Sequence, residues 1–251
     1  MNIQHVRTAS PIALLAAALL ALSSCATPAD PANTEATPDA QFQPLGFVML
    51  VDGTLSVIDM LSLKEINKLK VGHHAVHQVA VLPDNRTMYT GNIDDGTIVK
   101  LKFSEDGKTY TSKVVAKSPV NLHFFAATPD GKHVVLTSRM ELQEVSTLPK
   151  LSALPDDSIA IIDTATDKIV KVLALQSPAM PAFPNSGKHV YINNAHHGTI
   201  SVIETATWTE IQRVSVLKEA LAKRPDGTSR VSPDGLDVSP DGKWVVSADY
   251  E

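Results

Sequence analysis

PNSGKHVYINNAHHGTISVIETAT, residues 184–207, is the stretch from which the rest of the chain can be parsed. Within it, Lys188 to Ile192 places Val190 and Ile192 around Tyr191, and after a polar loop Thr199 to Glu204 alternates apolar and polar side chains. Both segments read as short β-strands, the first entered through a Pro-Asn-Ser-Gly turn. Neither strand can bury its face alone, so the unit implies neighbours of the same kind.

Those neighbours are present. Turn signals recur in LPDNRTMYTG, TPDGKHVVLT, PNSGKHVYIN and SPDGKWVVSA, with prolines at 83, 129, 184 and 240 and hence spacings of 46, 55 and 56 residues. Between them fall GTLSVID at Gly53, GTIVKLK at Gly96, DSIAIID at Asp157 and GTISVIE at Gly198. Such a double series matches a β-propeller blade of four antiparallel strands. A parallel β-helix is the competing architecture, but its period is shorter, about 20 residues, and it lacks hairpin turns. Towards the N-terminus, Gly46 to Val51, Thr54 to Asp59 and Lys64 to Val71 read as three further strands, the first two joined by Asp52-Gly53. With strands lettered a (inner) to d (outer), the chain starts at a strand b, runs through three complete blades and stops at Tyr250 and Glu251, just past another strand b. The expectation is an all-β propeller with about four blades represented, the N-terminal part of a chain closed by about seven.

Composition agrees with many short strands. Of 251 residues 43% are apolar, and 22 basic against 27 acidic residues give no surplus of charge for nucleic acid. The N-terminus is different. Arg7 precedes an apolar run from Pro11 to Leu22 that is too short to anchor as a spanning helix, the pattern of a signal peptide. Leu22-Ser23-Ser24-Cys25 resembles a bacterial lipobox, which implies lipid attachment at Cys25; an ordinary signal peptide with an incidental cysteine is the alternative. Ala26 after the cysteine resembles the sorting signal of an outer-membrane lipoprotein facing the periplasm of a two-membrane bacterium. Residues 26–43, rich in Ala, Pro, Thr and Asp, read as a flexible tether, and 44–251 as the propeller domain. Cys25 is the chain's one cysteine, so the mature domain offers no thiol for disulfides, zinc or iron–sulfur ligation.

The turn SPDGK, the strand ending in Asn193 and Asn194, GTISVIETAT, and Val71-Gly72 together resemble the bacterial propeller repeat named for its Tyr-Val-Thr-Asn consensus, and more distantly the haem d1 propeller of periplasmic nitrite reductases. The consensus is degraded here to MYTGN, VVLTS, VYINN and VVSAD. The resemblance covers the chain from about Gly46 onwards and implies a fold rather than an activity, because propellers host many functions.

Alternating strand direction sorts the histidines. The d-to-a and b-to-c loops share one face, which collects His73, His74, His196 and His197, and His77 and His123 enter strand a from it; His133 and His189, just after the turns, belong to the opposite face. Counting back from each turn places His77, His123, Ala179 and Asp234 at one inner position. Imidazoles and a carboxylate converging there form the candidate ligand or metal site, suited to a transition metal or a haem-type cofactor, with Met180 as a soft neighbour. Against this stands a structural role, an imidazole hydrogen-bonded within a watery channel. His73 and His77 are no chelate by themselves: in an extended chain they stand about 13 Å apart. Two long insertions, residues 138–158 and 217–232, fall on the same face; the second opens with a helix-like run and carries Lys218, Lys223, Arg224 and Arg230.

Enzyme motifs are missing: there is no GxSxG elbow, phosphate loop, HExxH or CxxCH. Asp130 and Asp241 read as turn residues bonding their own backbone, and no catalytic residue is assigned. The expectation is a lipid-anchored binding or scaffold module that captures a ligand, metal or periplasmic partner on its histidine-rich face. The alternative is a redox protein with His77 or His123 as axial ligand to a haem d1-like group, or a quinone-linked dehydrogenase.

Overall fold

The computed structural model describes residues 43–74, 76, 78–93, 95–117, 122–138, 157–195, 197–216 and 233–249. The signal segment with Cys25, the tether up to residue 42, His77, His196 and residues 139–156 and 217–232 of the two insertions lie outside the described residues, and Asp234 is described only in its backbone.

The described residues are all-β, with no helix. Sheet 1 has the order β1 (Leu45–Met49), β2 (Thr54–Asp59), β3 (Lys64–Lys70). Sheet 2 follows as β4 (Ala80–Val81), β5 (Thr87–Gly91), β6 (Thr97–Phe103), β7 (Tyr110–Lys117). Sheet 3 is β8 (Leu122–Ala127), β9 (His133–Ser138), β10 (Ser158–Asp163), β11 (Lys168–Ala174). Sheet 4 is β12 (Pro178–Ala182), β13 (His189–Asn194), β14 (Thr199–Glu204), β15 (Thr209–Ser215), and sheet 5 is β16 (Pro233–Val238) with β17 (Val245–Asp249). Every ladder is an antiparallel pairing of consecutive strands. Three four-stranded sheets, preceded by strands b to d and followed by strands a and b, match the strand lettering expected from the turns. The strand expected over Lys188 to Ile192 runs further, to Asn194, because Asn193 and Asn194 pair with Ile200 and Thr199 despite their polarity.

Side-chain alternation shows why these strands read as nearly continuous apolar runs. In β10, Ala160 and Ile162 pack towards sheet 2 with Tyr89, Ile98 and Phe125, whereas Ile159 and Ile161 pack towards sheet 4 with Val190, Ile192 and Trp208. A central strand covered on both faces has no solvent side, so successive residues feed different cores. A third core, Leu45, Leu55, Val57, Met88, Leu101 and Phe103, joins sheets 1 and 2. The inner strands β4, β8, β12 and β16 neighbour one another in sequence order.

Two turn families repeat the joint between sheets. In the a-to-b turns, Gly131 (φ 70°), Gly187 (φ 61°) and Gly242 (φ 71°) lean on the proline of the preceding turn. A β-carbon at Gly131 would stand 2.9 Å from Pro83 Cδ, so both backbone conformation and space require glycine there. In the c-to-d turns, one left-handed position is filled in order by Leu63, Gly107, Asp167 and Trp208. Gly107 lies against Leu45 and Ile66 of sheet 1, Asp167 bonds side chains of sheet 2, and Trp208 meets His133 of sheet 3.

Candidate functional site

Loop hydrogen bonds fix which connections share a face. Ile93 N–H donates to the carbonyl of His74 at 2.8 Å and Ala195 N–H to that of Ser177 at 2.9 Å, tying b-to-c loops to d-to-a loops. On the other face, Thr164 Oγ1 donates to the Gly131 carbonyl at 2.7 Å and Thr205 Oγ1 to that of Gly187 at 2.6 Å. The histidines therefore sort as their strand positions imply.

On the histidine-rich face, His73 is exposed; His74 is half-buried, and its backbone N–H donates to Asn92 Oδ1 at 3.0 Å. His197 is also half-buried, donating through its backbone to the Asn194 carbonyl at 3.2 Å. His123 is the second residue of β8, as Ala179 is of β12 and Asp234 of β16, so the inner positions do correspond. Its ring is enclosed, 2% exposed, beside Phe124, which packs with Ala179, Ala195 and Met180. Met180 is thus an apolar packing partner in this arrangement. Among the described residues no three His, Cys, Asp or Glu side chains come together to hold a metal ion. An imidazole so enclosed offers no open face to a planar macrocycle, so the described residues do not make a haem site.

Sequence reasoning overlooked a set of buried polar groups beneath this face. Thr90, Ser138, Ser158, Asn193 and Asn194 are at or near strand ends there and at most 1% exposed. Thr90 Oγ1, Ser138 Oγ, Ser158 Oγ and both asparagine Oδ1 atoms lack a hydrogen-bond partner, as does Gln78 Oε1 just before β4. Buried polar atoms are normally paired, so these represent unused hydrogen-bonding capacity. The cross-strand pair Ser138 and Ser158 is one such site. The signal was available in the run of Thr, Ser and Asn closing each strand b.

From this layer a polar chain leads outwards through sheet 4. Asn194 Nδ2 donates to Ser201 Oγ at 2.8 Å, Ser201 Oγ donates to Glu210 Oε1 at 2.7 Å, and Arg213 grips Glu210 with Nε at 2.7 Å and Nη2 at 2.8 Å. Burial pushes the Glu210 carboxyl up, but hydrogen bonds from Arg213 and Ser201 outweigh it and hold the group below the usual carboxylate range.

The PDG aspartates behave as turn residues. Asp130 Oδ1 accepts from Lys132 N–H at 3.1 Å, Asp241 Oδ1 from Lys243 N–H at 3.1 Å, and Asp84 Oδ1 from Arg86 N–H at 3.0 Å. Asn85, formally part of a glycosylation sequon, exchanges side-chain bonds with the Leu45 backbone at 2.6 and 3.0 Å and so serves the joint between sheets 1 and 2. No family model matches the chain, and no curated protein matches it.

Proposed function

We propose that the chain is a periplasm-facing lipoprotein of β-propeller type that captures a ligand or partner on its histidine-rich face. The observation carrying this reading is the layer of buried, unpaired hydrogen-bonding atoms at Thr90, Ser138, Ser158, Asn193 and Asn194, on the face where His73, His74, His123 and His197 collect. Repeated sheets joined through shared cores supply a rigid base, and binding functions concentrate in loops on such bases. Anchoring follows from the lipobox-like segment ending at Cys25.

The test is native mass spectrometry of the full chain after periplasmic expression. Retained mass that disappears in a His77→Ala/His123→Ala variant is expected. A native mass equal to that of the lipidated polypeptide, with nothing retained, overturns ligand capture. A visible absorption band in the purified protein would transfer support to the redox alternative.

A further inference from the structure

On the opposite face, the a-to-b turns of sheets 3 and 4 and the c-to-d turn of sheet 4 enclose an open groove of about 850 Å³. Its lining includes Lys132, His133, Asn185, Lys188, His189 and Glu204, with Trp208 in its floor, 8% exposed. His189 was set aside with the opposite face in the sequence; here it borders a concave polar surface.

The turn of sheet 4 departs from its siblings at a chemically informative place. In sheets 3 and 5 the turn reads PDGK, and each lysine is neutralised within its own turn: Lys132 Nζ is 3.5 Å from Asp130 Oδ2, and Lys243 Nζ is 3.0 Å from Asp241 Oδ2. In sheet 4 the turn reads PNSGK, one residue longer, with Asn185 in place of the aspartate. Lys188 consequently has no carboxylate in its turn, and among the described residues it makes no ion pair.

The acids around it are already engaged. Asp130 accepts from Thr128 Oγ1 at 2.7 Å and from Lys132, and Glu204 Oε2 accepts from Thr207 Oγ1 at 2.8 Å. Asn185 faces the groove with no side-chain hydrogen bond. An uncompensated ammonium beside an unengaged carboxamide and two imidazoles is a donor set for an oxyanion.

We infer that this groove binds the carboxylate or phosphate group of a small molecule, with Lys188 as the charged contact and Asn185 and His189 as neutral donors. The site lies on the face away from the proposed capture surface and stands independently of it.

Isothermal titration of the full chain with inorganic phosphate and, separately, with citrate tests the inference and separates the two oxyanion sources. Saturable binding of either anion is expected, weakened about tenfold or more in Lys188→Gln. Asn185→Asp, which keeps the lysine but restores the in-turn carboxylate, should weaken binding to a similar extent while leaving the circular dichroism spectrum unchanged. Lys243→Gln removes the same charge from the sheet 5 turn and should leave binding within twofold of the parent chain. Absence of saturable binding for both anions overturns the proposal, and so does equal weakening by Lys188→Gln and Lys243→Gln, which marks general charge attraction.

Discussion

The joint between sheets 2 and 3 and the joint between sheets 3 and 4 use the same backbone position for opposite chemistry. At the first, Asp167 sits at the left-handed residue of the c-to-d turn, and its carboxylate, 11% exposed, accepts from Tyr89 Oη at 2.7 Å, Lys100 Nζ at 2.9 Å and Lys113 Nζ at 2.8 Å. At the second, Trp208 fills that position and meets the His133 ring edge-on at 5.4 Å, joining the core of Val135, Ile159, Ile161 and Val190. The repeat specifies where one sheet touches the preceding one and leaves the chemistry of the touch open. One joint is fastened by a directional, charge-dependent cluster, the other by non-directional burial.

The largest effect is expected from emptying the apolar joint. Trp208→Ala removes a buried ring whose space the two flanking sheets cannot refill, at a cost of roughly 3–5 kcal/mol. Denaturant unfolding of the full chain measures it, and because the lost contact is apolar, the loss should be nearly independent of pH between 5 and 8 and of salt. A loss below 1 kcal/mol would show that the ring does not fasten the sheets together.

Next is the charged joint, where pH is the sharper instrument. Burial pushes the Asp167 carboxyl up, but hydrogen bonds from Lys113, Tyr89 and Lys100 dominate and hold it down to about 2, below its ordinary 3.8. The folded state thus favours the ionised form. Its stabilisation is fully present above the unfolded value and is lost as pH falls from about 4 towards 2. Asp167→Asn should cost about 2 kcal/mol at pH 7 and flatten that acid limb of the stability profile. The same partnership pushes the Tyr89 hydroxyl upward, first through burial and then through Asp167, so Tyr89 should resist ionisation in an alkaline absorbance titration. A parent chain whose acid limb matches that of Asp167→Asn would remove the distinction between the joints.

Much of this fold is written locally. Pro-Asp-Gly chemistry marks its own turn because the aspartate bonds backbone two residues away, and alternation marks a strand without reference to its neighbours. The contacts fastening the sheets are another matter: Tyr89 and Asp167 lie 78 residues apart, and neither residue type announces the other. The turn position itself was findable, since Leu63, Gly107, Asp167 and Trp208 each stand four residues beyond the end of a strand c, at Asp59, Phe103, Asp163 and Glu204. For the candidate site, strand direction sufficed to assign the histidines to faces. The enclosure of His123 was not legible, because it follows from how Phe124 packs with residues of the next sheet, Ala179 and Ala195. Nor was the groove at Lys188, which emerges when Asn185 is compared with the in-turn ion pairs of Lys132 and Lys243.

The smallest expected effect separates the two lysines on Asp167. Lys100 is 23% exposed, donates also to the Thr164 carbonyl at 3.0 Å, and lies 5.3 Å from the Tyr89 ring centroid, whereas Lys113 is 64% exposed and bonds only the carboxylate. Water and salt screen the second pair, and ordering its long side chain offsets much of the attraction. Lys113→Met should therefore cost at most about 0.5 kcal/mol, and that cost should fade towards zero at 1 M salt. Lys100→Met, which leaves a mostly buried carbonyl and carboxylate short of a donor, should cost about 1–2 kcal/mol and keep most of it in salt. Unfolding curves of the two variants at low and high salt decide the matter. Equal, salt-sensitive losses would mean that the whole cluster is solvent-screened and that the charged joint owes its strength to the surrounding core of Tyr89, Ile98 and Phe125, as the apolar joint does to its own.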